Sequence, residues 1–110
     1  MTDTRLDLLR GTLDMLVLKA LHQQPMHGYD IARMIEVSTE DVLHVEEGSL
    51  YPSLHRMERR GWIAATWGRS DNNRRAKFYQ LTDLGRNQLE LESAEWKRYT
   101  DAVEQMMRKS

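Results

Sequence analysis

Hydrophobic positions recur along the chain with helical spacing, then with strand-like alternation, then with helical spacing again. Leu6, Leu9, Leu13, Leu16, Val17, Ala20 and Leu21 lie three or four apart, which predicts a helix over residues 6 to about 22. Leu8, Met15 and Leu18 occupy its other side, so this helix is apolar nearly all round and needs cover on two sides. The stretch 23–27, with Pro25 inside it, breaks the pattern. A second helix is predicted from Gly28 to about Glu36, with Ile31, Met34 and Ile35 facing inward. Residues 38–47 are polar and acidic and read as a loop with room for a very short strand.

A third helix is predicted to begin near Gly48 or Ser49, with Ser49 as its cap and Pro52 in its first turn, where a missing N–H costs little. Leu50, Leu54 and Met57 give it a buried stripe, and Gly61 stands where a left-handed C-terminal cap belongs. Residues 62–67 and 75–81 are aromatic, β-branched and partly alternating, and the polar stretch 68–74 separates them, so they predict a β-hairpin with a long basic loop. Thr82 is placed to cap a final helix running to about Arg108. The expected fold is mainly α with a small β-hairpin. Helix, helix, helix, hairpin and long helix, in that order, describe a winged helix-turn-helix, whose third helix enters the DNA major groove while the hairpin, the wing, lies along the backbone. Residues 1–81 would form the DNA-binding domain and residues 82–110 a dimerisation helix.

Charge sharpens this picture. The chain of 110 residues carries 16 Lys+Arg and 17 Asp+Glu, an average that points to no particular partner. Between Tyr51 and Lys77, however, seven cations face only Glu58 and Asp71, a local net of +5, while the other nine cations and fifteen carboxylates net −6. Such a one-sided field is the footprint of a phosphate-binding surface. With no cysteine there is no disulfide, thiolate metal site or thiol nucleophile. His22, His27, His44 and His55 are scattered, and we find no nucleophile–base pair or phosphate-cradling loop, so neither an enzyme nor a bound metal or cofactor is expected. The first ten residues alternate charge with leucine, unlike a signal peptide, and no apolar run would span a bilayer, so a cytoplasmic protein is expected.

On the third helix, Ser49, Tyr51, Ser53, His55 and Arg56 are candidates for the groove. The Tyr51 phenol suits a phosphate or base edge, or a ring packed on the wing. Arg56 suits a bidentate contact to guanine, or a phosphate contact without sequence information. In the wing, Arg69, Arg74, Arg75 and Lys77 suit phosphates or the minor groove, although strand alternation keeps them from all facing DNA. The last helix has a heptad seam of Leu89, Trp96 and Val103, with Glu92, Tyr99 and Met106 three residues on, and this argues for a homodimer. Trp96 suits either an interface anchor or the wall of a cavity that stacks on a planar ligand.

The run from Val45 through Glu46-Glu47-Gly48-Ser49-Leu50-Tyr51-Pro52-Ser53-Leu54 to Arg56-Met57-Glu58 and Gly61-Trp62-Ile63 resembles the PadR family of bacterial transcriptional regulators. His27-Gly28-Tyr29-Asp30-Ile31, the stretch from Arg74 to Thr82, and Gly11-Thr12-Leu13-Asp14 with Leu16-Val17-Leu18 fit the same pattern. The single C-terminal helix resembles the short subfamily. The resemblance implies a homodimeric repressor on a pseudo-palindromic double-stranded operator, with the last helix packing on the partner's first helix, where Leu9 and Leu13 would contribute. It implies a phosphate contact for Tyr29, whose alternative is a core-packing tyrosine. By analogy with drug-sensing members, Asp14, Met15, Glu92, Trp96 and Tyr99 would line a pocket for a small aromatic or cationic effector. The competing readings are a winged-helix module that binds another protein and a regulator that needs no ligand.

Overall fold

A computed structural model describes residues 11–110. Leu6, Leu8 and Leu9 lie outside the described residues, and the first helix is described from Thr12. The elements are α1 (Thr12–Gln23), β1 (Met26–His27), α2 (Gly28–Ser38), α3 (Glu47–Arg59), β2 (Ile63–Arg69), β3 (Arg75–Leu81) and α4 (Asp83–Met107). α1, α2 and α3 pack around a core in which Val17, Leu18, Ile31, Leu50, Leu54 and Met57 are essentially inaccessible to solvent. Ile63, Tyr79 and Leu81 close that core from the sheet. This is the expected winged helix.

The structure corrects the sequence reading in four places. Residues Met26 and His27, which the sequence places in the break between two helices, form a strand, so the hairpin becomes a three-stranded antiparallel sheet in the order β1-β3-β2. Two residues after a proline carry no periodicity, and only the facing edge of β3 reveals them. Second, α3 begins at Glu47 with Glu46 as its N-cap, and Ser49 donates its backbone N–H to Glu46 O at 3.0 Å rather than capping the helix. Pro52 therefore sits inside α3, opposite the carbonyl of Gly48 one turn earlier. Third, the ladder continues to the pair Arg69–Arg75, leaving a compact turn at 70–74 in place of a long loop. That turn closes through Ser70 N–H to Arg74 O at 2.8 Å, with Asn73 in the left-handed region at φ 60°. Fourth, Leu89 is buried in the core of its own chain and does not belong to an exposed seam.

The junction of α3 and α4 sets the geometry of the functional surface. Gly61, at φ 77°, ends α3 with its N–H on Glu58 O and the Trp62 N–H on Met57 O, both at 3.0 Å, which is a Schellman cap. Thr82 caps α4 by accepting the Gly85 N–H at 3.0 Å, and its hydroxyl reaches back to the carbonyls of Gly61 and Trp62. A side chain at Gly85 would meet Trp62 O at 2.0 Å, so α4 can pass this close only because the residue is glycine. Gly85→Ala is expected to cost about 1–3 kcal/mol or more of stability by overpacking. Gly48→Ala points into open space and is expected to gain up to about 1 kcal/mol. Thermal unfolding of both variants checks the pair, and equal melting temperatures would contradict this packing.

Candidate nucleic-acid interface

α3 buries Leu50, Leu54 and Met57, so the opposite ridge, Gly48, Pro52, His55 and Arg59, is exposed. Ser49 is exposed at the edge of this ridge. Ser53 is not a groove residue, because it shares the buried face and is 2% exposed. Its hydroxyl donates at 2.5 Å to Asp14 Oδ1 on α1, and Arg56 Nη2 donates to the same oxygen at 2.6 Å. Arg56 keeps 39% of its side chain exposed on the border between the outward ridge and α1. Arg60 lies over the Trp62 ring, with its guanidinium 5.1 Å from the ring centre. Arg59, one of the cations of the basic stretch, stands one turn beyond His55 on the outward ridge, and a step of four residues along the helix from His55 reaches it.

Tyr51 packs at the start of α2, where a side chain on Gly28 would come within 2.9 Å of its ring and hydroxyl. It is 39% exposed there, so its ring rests on helix backbone while part of it stays open to solvent, as a phosphate or base-edge contact requires. Tyr29 is exposed, which removes the core-packing alternative. His27 caps α2 by accepting the Asp30 N–H at 3.4 Å and packs edge-on against Phe78.

In the wing, strand register places Arg69 opposite Arg75 and Trp67 opposite Lys77 on the face that continues the core. Like charges directly opposed in a ladder repel each other. Arg75 offsets part of that cost by stacking over the exposed Trp67 ring at 4.5 Å. Lys77 differs from the other wing cations. Its ammonium is 2.9 Å from Glu58 on α3, and this hydrogen bond holds its pKa above the usual lysine value. It braces the wing against α3 and does not project from the surface. Arg69, Arg74 and Arg75 remain exposed. Between the wing and the start of α2 lies a groove of about 660 Å³, whose walls include Tyr29, Tyr51, Arg74 and Arg75.

A second cavity, of about 540 Å³, opens between the start of α1 and α4, lined by Thr12, Met15, Glu92, Glu95, Trp96 and Tyr99, with Gly11 at its end. The Trp96 and Tyr99 rings stack with centroids 6.1 Å apart. Asp14, assigned to this pocket from the sequence, is not among its walls. It lies one position before Met15, a rotation of about 100° around the helix, and faces α3 instead. Glu95 was missed, although it follows Glu92 by three residues and so shares its face. Burial raises the pKa of Glu92, and the nearby carboxylates of Asp14 and Glu95 push the same way. Beyond the cavity, Val103 and Met106 are exposed on the same helix. Among the described residues no cluster of His, Cys, Asp or Glu could hold a metal ion, and no helix is long and apolar enough to cross a membrane.

Known proteins share this arrangement. A transcriptional regulator from Clostridium thermocellum superposes with a TM-score of 0.80 at 25% identity, covering 87% of this chain and 93% of its own. A PadR-like transcriptional regulator from Bacillus cereus gives a TM-score of 0.78 at 28% identity, over 93% of this chain and 97% of its own. A PadR family transcriptional regulator from Eggerthella lenta gives 0.77 at 31% identity, over 92% of this chain and 86% of its own. The sequence profile of the family described as "Transcriptional regulator PadR-like family" matches residues 17–91. With the winged helix, the cationic wing and the profile in agreement, this chain belongs to the PadR-like family of transcriptional regulators, which are not enzymes.

Proposed function

We propose that the protein is a homodimeric repressor that reads a pseudo-palindromic operator with α3 and its wing, and that a planar cation in the Trp96 cavity releases it. The observation that carries the DNA reading is the unpartnered ridge of α3 standing beside a wing that opposes Arg69 and Arg75. A fold that sets like charges against each other at a helix–hairpin cleft gains when a polyanion occupies it. His55, Arg59 and Ser49 face the major groove, with Arg56 at its edge, while Tyr29, Tyr51, Arg74 and Arg75 take phosphates. Two-fold symmetry then requires two half-sites about one helical turn, roughly 10 bp, apart.

The dimer reading rests on α4, which leaves Trp96, Tyr99, Val103 and Met106 exposed on its outer half. Burying apolar side chains such as Val103 and Met106 against a second copy is worth roughly 1.5–3 kcal/mol each. The effector reading rests on the open cavity, in which stacked aromatic rings lie beside Glu92 and Glu95 and so suit a flat ligand with positive charge.

Operator affinity is expected to fall steeply with salt, with a log–log slope of about −5 to −9 if the dimer neutralises roughly 6–10 phosphates. Arg74→Ala with Arg75→Ala should flatten that slope and weaken all sequences alike. An unchanged slope in a salt titration would remove the wing from the interface.

Sedimentation equilibrium of Trp96→Glu with Val103→Glu is expected to show monomer, because two buried charges would replace apolar contacts across the two-fold axis. A dimer of unchanged stability would exclude the α4 seam.

For the cavity, a planar cationic dye followed by Trp96 fluorescence should bind more tightly as pH rises. Glu92 holds its proton above the ordinary glutamate range when the cavity is empty, and a bound cation favours the ionised form. Affinity should therefore increase as pH climbs through the raised Glu92 pKa and level off above it. In Glu92→Gln this dependence should vanish, and its persistence would assign the effect to another group.

A further inference from the structure

We propose that Asp14 is a specificity-positioning residue: from α1 it fixes the direction in which Arg56 of α3 can meet a base. The inference rests on the DNA-reading function proposed above and adds a residue that touches no DNA itself. Three observations support it. The Asp14 carboxylate is 17% exposed and gives a single oxygen, Oδ1, to both Ser53 and Arg56 of α3. Ser53 is buried, so the carboxylate is anchored to the inner face of α3 and cannot follow the guanidinium out to solvent. Arg56 occupies the border of the outward ridge and is itself partly exposed, so the same side chain faces α1 on one side and the groove on the other.

The chemistry of arginine makes this anchoring consequential. A guanidinium is a planar fork of five N–H donors, and committing Nη2 to one fixed carboxylate oxygen narrows the set of orientations that the remaining donors can present. Bidentate recognition of guanine depends on that plane being right before contact. An unanchored Arg56 would still supply charge to phosphates, but with many orientations and little base preference. The carboxylate thus exchanges one unit of local positive charge for direction. For a surface that already carries Arg59, Arg69, Arg74 and Arg75, direction is the scarcer property.

The test uses the full chain and a library of 30-bp duplexes with a randomised centre, from which wild-type protein selects a motif. Single-base variants of that motif then give a preference profile for each protein. Arg56→Ala should flatten one symmetry-related base pair of the profile. Asp14→Asn should flatten the same base pair by about fivefold or more, with the salt slope retained, and the double variant should be no flatter there than Arg56→Ala alone. Gly85→Ala serves as the structural control, since it should lower the melting temperature away from this contact and leave the profile unchanged. Ser53→Ala removes the hydroxyl that anchors the carboxylate but keeps the Arg56–Asp14 pair, so it should flatten the same base pair less than Asp14→Asn does. If Asp14→Asn fails to fold, Asp14→Glu asks the same question with the charge kept, because a longer arm displaces the anchor and should alter the profile at that base pair. A selected motif whose profile is identical in wild type and the folded Asp14 variant overturns the inference alone. A library that yields no motif with wild-type protein overturns the DNA-reading function beneath it.

Discussion

The burial of one stripe on α3 is the constraint from which the functional surface follows. Leu50, Leu54 and Met57 are sealed from solvent beneath α1 and the sheet, and each would cost roughly 1.5–3 kcal/mol to expose. With that face committed, helical geometry leaves no choice about the opposite one, and Gly48, Pro52, His55 and Arg59 must point outward. The two borders are committed as well. One meets α1 through Asp14, Ser53 and Arg56, and the other meets the wing through Glu58 and Lys77. The helix is thereby held on three sides and presented on the fourth.

The polar contacts around α3 differ in kind from the apolar ones. Lys77–Glu58 and Arg56–Asp14 are partly exposed ion pairs, and pairs of that sort add little net stability. Their contribution is angular: each ties a neighbouring element to a particular edge of the helix. Cations at the border of α3 and the wing differ by partner. Lys77 and Arg56 have carboxylates and set geometry, whereas Arg69 and Arg75 face each other, with Arg75 over the Trp67 ring. A count of positive charge mixes the two groups, and only the second supplies a field to an approaching polyanion.

α4 has a similar division along its length. Its first turns are locked to the core by Thr82, Gly85 and Leu89, and its second half carries Trp96, Tyr99, Val103 and Met106 exposed. The cavity at Trp96 lies between these two halves, against Thr12 and Met15 of α1. Neighbouring residues of α1 consequently serve different sites, with Met15 on the cavity wall and Asp14 on α3. A displacement of this one turn would be felt at both.

The sequence by itself determined the number and order of the helices, the hairpin and the Gly61 and Thr82 caps, while its family resemblance supplied four of the walls of the second cavity. The elements and caps follow from local rules: periodicity, capping chemistry and spacing within one element act over a few residues, so a linear reading contains them. Tertiary structure decided everything that depends on what lies across an interface. β1 exists because β3 offers it an edge, and the inward Ser53 hydroxyl is satisfied because Asp14 of α1 lies across from it. Leu89 fits a heptad seam in the sequence, but the domain core covers it first. Asp14 and Met15 are adjacent in the sequence and serve different partners in space, since each step along a helix turns the side chain by about 100° while the surroundings change completely. Periodicity says which residues share a face. Only packing says what that face meets.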